Sequence, residues 1–353
     1  MQELNRSAGQ IRTRPAPTCI LCGSTGAPLY SGLQDRMYQA SGVWDLKRCS
    51  GVDCGLVWLD PRPLEDDLPN AYCAYYTHAL EASRPQNVGE RIFHAVSDAF
   101  LAHRYGHSSA VKSRVLWPFI YLHPGVRAEA EFSVLYQLDL DRTARLLDVG
   151  CGSGSHLKSL VNLGCEAVEG VDPDPQAVDL AVRRGLRVQC GTVRSQNYPD
   201  STFDVITMSH VIEHLHDPVD VLKECYRILR PGGKLLVTTP NMDSWGHRMF
   251  RGAWLHLDPP RHLFLFNHKN LLTAVRRSGL WSLTSIRSTI HAAGPTLDAS
   301  LNIRKTGRHE RSFLQASFWR QSAAHAFYYA EAMLLPVMRW RGEEILVRAE
   351  KPT

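Results

Sequence analysis

Leu146-Leu147-Asp148-Val149-Gly150-Cys151-Gly152-Ser153-Gly154 is an apolar run that ends in an acid and a glycine-rich turn. Apolar residues without polar alternation suit a strand buried on both faces. The glycines allow a tight turn and bring backbone N–H groups close to a ligand. A helical pattern begins near Ser155, which places that ligand at a strand end and a helix N-terminus. Strands and helices then alternate. Strands are expected over 146–149, 167–171, 186–189, 203–208 and 234–239, and helices over 155–163, 175–184 and 218–229. This order predicts a doubly wound, parallel sheet with its ligand at the carboxyl edge.

Three ligands compete for the loop. A phosphate-binding P-loop needs G-x4-G-K-[ST], which is absent. A dinucleotide site wants G-x-G-x-x-G, but here the third glycine comes one place early, which suits a ligand without a pyrophosphate. Asp172 closes the second strand, where a carboxylate can accept both hydroxyls of a ribose.

The pattern Asp148-x-Gly150-x-Gly152-x-Gly154, then Gly170-Val171-Asp172, Phe203-Asp204-Val205-Ile206 and Leu229-Arg230-Pro231-Gly232-Gly233, resembles the class I S-adenosylmethionine-dependent methyltransferases over residues 142 to about 290. The resemblance implies a Rossmann-like, mostly parallel sheet of seven strands. It implies that Gly150, Gly152 and Gly154 pass close to the methionine moiety, that Asp148 orients that end and that Asp172 holds the ribose. The loop around Thr192 would flank the adenine. Many relatives carry an acid there, and this chain has threonine. His210 would line the cofactor or acceptor side, and S-adenosylhomocysteine would be the product.

Pro240-Asn241, then Asp258-Pro259-Pro260-Arg261-His262 with Leu263-Phe264-Leu265-Phe266, resembles a bacterial subgroup with a cysteine-rich N-terminus, similar to ubiquinone-biosynthesis O-methyltransferases and to sugar and secondary-metabolite enzymes. Glu213-His214-Leu215-His216-Asp217-Pro218 resembles the segment after the fourth strand in the same enzymes. A hydroxyl acceptor must lose a proton, and a neutral imidazole suits that task. His262 ranks first as the base, followed by His214 and His210. The competing reading makes His262 a residue that fixes its loop, and His214 a brace for the following helix. Arg261 either binds an anionic acceptor or pairs with Asp258.

Cys19-Ile20-Leu21-Cys22-Gly23 and Cys49-Ser50-Gly51-Val52-Asp53-Cys54-Gly55 are two cysteine knuckles, each followed by glycine. Four thiolates from two tight turns suit a structural Zn2+ ion held by Cys19, Cys22, Cys49 and Cys54. Strand-like alternation between the knuckles is expected over 37–47. The chain then divides into a disordered tail (1–18), a zinc-ribbon-like region (19–60), a helical connector or cap (61–140) and the methyltransferase domain (141–353). A helical insertion at about 291–342 separates its last two strands, expected over 281–290 and 344–349. The insertion joins basic Lys305, Arg308 and Arg311 to an apolar, aromatic stretch over 326–340. It is read as a packed cap, with peripheral contact to an anionic membrane through 305–340 as the alternative.

The chain has 353 residues, 44% hydrophobic and 21% charged, with a formal net charge of +5. That charge is mild for a nucleic-acid binder. The polar start, with Arg6, Arg12 and Arg14, does not read as a secretory signal. Nine cysteines, an odd number, point to reduced thiols or metal ligands and a cytoplasmic location. The expected activity is methyl transfer to a small-molecule hydroxyl. The alternatives are an RNA methyltransferase that grips RNA with its ribbon, and a non-catalytic scaffold.

Overall fold

The computed structural model describes residues 10–72, 92, 95–97, 99–101, 103, 116–122, 124–132, 138, 141, 143–162, 164–309 and 318–353. The elements before the central domain are β1 (Thr13–Arg14), β2 (Gly26–Leu33), β3 (Trp44–Cys49), β4 (Val57–Leu59), β5 (Arg62–Pro63), 3-10 turns over Glu65–Tyr72 and Trp117–Leu122, and α1 (Pro124–Phe132). The central domain runs β6 (Leu146–Val149), α2 (Ser155–Asn162), β7 (Val168–Asp172), α3 (Pro175–Arg183), β8 (Val188–Cys190), β9 (Phe203–Ser209), α4 (Pro218–Ile228) and β10 (Leu229–Pro240). It continues with α5 (Trp245–Phe250), β11 (Phe264–Leu265), α6 (His268–Ser278), β12 (Ser282–Thr289), α7 (Ala293–Thr306), α8 (Phe318–Leu334) and β13 (Glu344–Glu350).

Seven strands form the main sheet in the order β12-β13-β10-β9-β6-β7-β8. The pairs from β10 to β8 are parallel, and β13 runs antiparallel between β10 and β12. The reversal of strand order beside β6 opens the crevice in which ligands of doubly wound sheets sit. All of β6 is buried, in keeping with its unbroken apolar run. Helix α3 starts where Asp174 caps the amide of Gln176 and Pro175 fills the first turn. Helix α4 repeats the device with Asp217 and Pro218.

The first strands belong to a second sheet, ordered β11-β4-β3-β2. Strand β4 lies between β3 and β11, and both pairings are antiparallel. The ribbon region therefore shares a sheet with a segment of the central domain, and Trp44, Trp58, Phe264 and Phe266 are buried in one continuous core.

Several expectations are corrected. The tail is ordered from residue 10. Strand β1 pairs with β5, Arg12 grips Asp67 at 2.7 and 2.8 Å, and Trp58 Nε1 donates to the Ala16 carbonyl at 2.7 Å. Those partners lie far along the chain, which is why a polar, proline-containing segment reads as free. Residues 1–9 lie outside the described residues. The ribbon hairpin uses β2 and β3 rather than 37–47, because Asp35 turns the chain by accepting the amides of Met37, Tyr38 and Ala40. Strand β10 starts at Leu229, so Arg230-Pro231-Gly232-Gly233 is an irregularity within the strand, where the register against β9 shifts. Much of the segment 61–140, including most of 73–115, lies outside the described residues. Val96, Leu101, Ile120, Val126 and Ala130 from it share one cluster.

Candidate functional site

The glycine loop is built around β6 and β7. Gly150 has φ of +72°, and a Cβ there would come within 2.3 Å of Val211 Cγ2. Glycine is therefore required both by the turn and by the close approach of the segment after β9. The amide of Gly152 donates to Asp172 Oδ2 at 2.7 Å, and the amide of Asp174 donates to Oδ1 at 2.9 Å. Each carboxylate oxygen thus keeps a lone pair for a ligand hydroxyl. Burial pushes the Asp172 carboxyl up, against the pull of those two amides. Arg184 braces the loop from α3 by donating to the Ser153 carbonyl at 2.9 Å. Asp148 is buried and held on both sides, by the Thr207 hydroxyl at 2.6 Å and by His156 Nδ1 at 3.2 Å. Thr192 is exposed in the loop after β8, where it caps a turn by accepting the Ser195 amide at 3.2 Å.

Next to this loop, at the end of β9, is a cluster of histidines. His210 has a left-handed backbone, φ +54°. Its Nε2 lies 2.6 Å from Glu344 Oε1, and its Nδ1 lies 3.4 Å from Glu213 Oε1. Burial works against its charge, but the two carboxylates outweigh it and raise the imidazole well above its usual range. The sequence offered His210 as a third candidate base, and the two carboxylates around its ring favour the charged form. His214 has the opposite environment. Burial, and then the nearby His262, lower it to about 4.

The His214 and His262 rings meet edge to face, with centroids 4.7 Å apart. His262 Nδ1 is 2.7 Å from the His256 carbonyl, and His214 Nδ1 is 3.0 Å from the Arg261 carbonyl. A carbonyl only accepts, so His262 Nδ1 carries the proton of the neutral ring and Nε2 its lone pair, whereas His214 Nδ1 also faces the Tyr72 hydroxyl at 2.9 Å, which can donate to it. The insertion reaches this cluster. His256 Nε2 lies 3.0 Å from Thr296 Oγ1 on α7, and Tyr328 of α8 donates to the His291 carbonyl at 2.9 Å.

Arg261 does not face an acceptor. It is wholly buried, binds both oxygens of Asp35 at 2.7 Å and both of Asp258, and donates to the Ala71 carbonyl at 3.0 Å. The Tyr38 ring lies 4.6 Å below its guanidinium. Of the two readings, pairing with Asp258 holds, and Asp35 is a partner the sequence did not indicate. This clamp holds the loop of His262 against the ribbon. Tyr72, whose hydroxyl lies 2.9 Å from His214 Nδ1, brings the Glu65–Tyr72 turn to the same place. Sequence reasoning also missed His256 and Glu344. The acid just before the apolar run Ile345-Leu346-Val347 of β13 was the available signal for Glu344.

Cys19, Cys22, Cys49 and Cys54 each bring a sulfur within 4.8 Å of the others. Sulfur pairs stand 3.6 Å apart (Cys19 and Cys54) and 3.2 Å apart (Cys22 and Cys49). The arrangement suits a tetrahedral ion in a closed, structural site.

Residues 126–284 match the family model described as a methyltransferase domain. Over these residues the chain carries a methyltransferase domain. A ubiquinone biosynthesis O-methyltransferase of Xanthomonas oryzae is 37% identical over 105 residues, which cover 28% of this chain and 44% of the relative. A probable S-adenosylmethionine-dependent methyltransferase of Mycolicibacterium smegmatis is 37% identical over 112 residues, covering 31% of this chain and 43% of the relative. The chain thus spans less than half the length of these curated relatives. Among solved structures, a methyltransferase of Thermotoga maritima described as a possible histamine N-methyltransferase overlaps with a TM-score of 0.41 at 19% identity, covering 74% of this chain and 99% of that one. Among the described residues, no helix is long and apolar enough to cross a membrane.

Proposed function

We propose that this protein transfers a methyl group from S-adenosylmethionine to a hydroxyl of a small-molecule acceptor bound at the histidine cluster. The observation that carries the reading is the packing of Val211 against Gly150, which sets the segment of His210 to His214 beside the glycine loop. When bound, the cofactor supplies a methyl group on a sulfonium that needs no further activation. The residues fit it. A glycine cradle closes on one side, and Asp172 offers one free lone pair on each oxygen for the two ribose hydroxyls. Asp148 remains beside the loop to orient the methionine end, and Thr192 flanks the adenine.

The chain's remaining tasks are to hold the acceptor in line with the methyl, exclude water and take the acceptor's proton. His262 takes that proton at Nε2, whose lone pair is fixed by the bond from Nδ1 to the His256 carbonyl. His214, held neutral by burial, flanks it, and α7 with α8 close the site from above. The curated O-methyltransferase relative supports an oxygen acceptor. Cys19, Cys22, Cys49 and Cys54 hold a structural zinc ion that keeps the ribbon against the His262 loop.

Calorimetry on Asp172→Ala tests the cofactor side. Losing two charge-assisted hydrogen bonds of about 1.5–3 kcal/mol each predicts affinity weaker by at least ~100-fold. Unchanged affinity for S-adenosylmethionine would sink the ribose assignment, and no affinity in the wild type would sink the function.

A further inference from the structure

We propose that the outward face of α8, together with the Trp117–Leu122 turn, seats the protein on the surface of a lipid bilayer. The inference rests on the methyl-transfer reading for what the contact serves, though not for the contact itself.

Helix α8 turns its one acid inward and an apolar stripe outward. Its inner stripe, with Phe327, Tyr328, Ala332 and Leu335, packs against Ala128, Ile290 and Ala293. Glu331 lies on that side too and is 2% exposed. Burial, and then the neighbouring Glu343, push its carboxyl well above the usual range, so it goes inside as the neutral acid. On the outer stripe Tyr329 is 44% exposed, Met333 76% and Val337 83%. These three recur at every fourth position, which places them on one face. Helical bonds carry that face past Leu334: the Leu335 amide donates to the Glu331 carbonyl and the Met338 amide to the Leu334 carbonyl, both at 2.8 Å. A helix apolar on every side is stable where every side is covered. Burying the acid while leaving methionine and valine in water costs on both counts, so the outer stripe calls for a partner.

The turn extends the same surface. The Tyr329 hydroxyl donates to the Leu122 carbonyl at 3.2 Å. Beside it Phe119, Tyr121 and Leu122 are exposed. Two stretches far apart in the chain thus form one contiguous apolar patch, the mark of an interaction surface.

The charges around the patch select the partner. Residues 117–122 carry none, and the only acid over 323–341 is the buried Glu331. The apolar stretch ends in Arg339-Trp340-Arg341, with the Arg339 guanidinium 4.8 Å from the Trp340 ring. Tyrosine, tryptophan and arginine at the rim of an apolar face match a bilayer, whose headgroup level takes those rings and whose phosphates take the cations. Lys305 and Arg308 do not belong to this surface. Ala293, near the start of α7, packs on α8, and Lys305 lies roughly 18 Å further along the axis of α7. Apolar insertion therefore leads the contact, and the arginines come second. Because Tyr328 of α8 also holds the His291 carbonyl, seating this helix sets the histidine cluster at the lipid surface.

Flotation of the full chain with vesicles tests the proposal. One set is phosphatidylcholine alone and the other an equal mixture with phosphatidylglycerol. We expect flotation with both, more with the mixture, and binding to phosphatidylcholine that survives 1 M salt. Met333→Asp with Val337→Asp removes two inserted side chains and should weaken binding about 100-fold or more. Tyr121→Asp with Leu122→Asp, on the other segment, should act in the same direction, and Lys305→Glu should leave phosphatidylcholine binding unchanged. A wild type that floats with neither vesicle overturns the proposal, whatever the folding of the variants. So does flotation that both aspartate pairs leave at the wild-type level. A wild-type dimer in light scattering that the aspartate pairs split, without flotation, makes the face an interface between copies and also overturns it. Calorimetry with S-adenosylmethionine on the same samples keeps the readings apart: a chain that floats but binds no cofactor refutes the function and leaves the lipid contact standing.

Discussion

Replacing Arg261 with methionine should unfold the boundary between the ribbon and the loop of His262 before it affects anything else. The guanidinium is fully buried between Asp35 and Asp258. The two carboxylates would not suffer equally from its loss. Asp35 retains three backbone amides, from Met37, Tyr38 and Ala40, at 2.8–3.0 Å. Asp258 has both its oxygens on Arg261 and would be left as the uncompensated buried charge. Removing one partner of a buried pair costs about 3–5 kcal/mol, and here the cost falls mainly on Asp258. Urea denaturation followed by tryptophan fluorescence at pH 7 should show a loss of that size. Asp258 can escape by taking a proton, so the penalty should shrink towards pH 5. Adding Asp258→Asn to the methionine variant should restore part of the loss at pH 7. A penalty below about 1 kcal/mol, or a double variant no more stable than the single one, would refute the account.

Other outcomes follow from the same geometry. Gly150→Ala combines a left-handed backbone with a 2.3 Å approach to Val211, so it should cost about 1–3 kcal/mol and weaken cofactor binding. Adding Val211→Ala should recover part of the stability, and no recovery would mean that the contact is not the cause. Purified protein should contain thiolate-bound zinc that is lost in Cys22→Ser, and a metal-free but fully folded ribbon would sink that assignment. Burial lowers His247 to about 4. Below its unfolded pKa of about 6.5 the unfolded chain binds the extra proton, so this stability is complete above that pH and is lost as pH falls towards 4. The slope is at most about 1.4 kcal/mol per pH unit for this residue, and His247→Gln should flatten it by that amount in denaturation at stepped pH.

The glycine loop and its strands were legible because their signals are local. A buried strand, the glycines beside it and Asp172 at the end of the next strand all declare themselves within short windows. The central strands were placed to within a few residues for the same reason. The histidine cluster was legible only as residue types. His262 and His214 were picked out, but their tautomers depend on carbonyls of His256 and Arg261 that only the folded loops bring close. Arg261 carried two readings because its partner Asp35 lies in another part of the chain, in a polar loop with no pattern of its own. Glu344 and Tyr72 were missed on the same grounds: each reaches the histidines from a distant element. The first strand pair was missed because two-residue strands leave no periodicity to read.

The pairing of β4 with β11 also orders events during synthesis. The cysteine knuckles and β2 to β4 leave the ribosome before the central sheet, but the outer edge of β4 waits for Phe264 and Leu265. Everything from β6 to β10 must be made before that edge is covered, and until then it is open to other chains. The ribbon precedes the central sheet in the sequence but is finished only after β10 has been made, so a nascent chain halted after β4 is the form most exposed to misassembly.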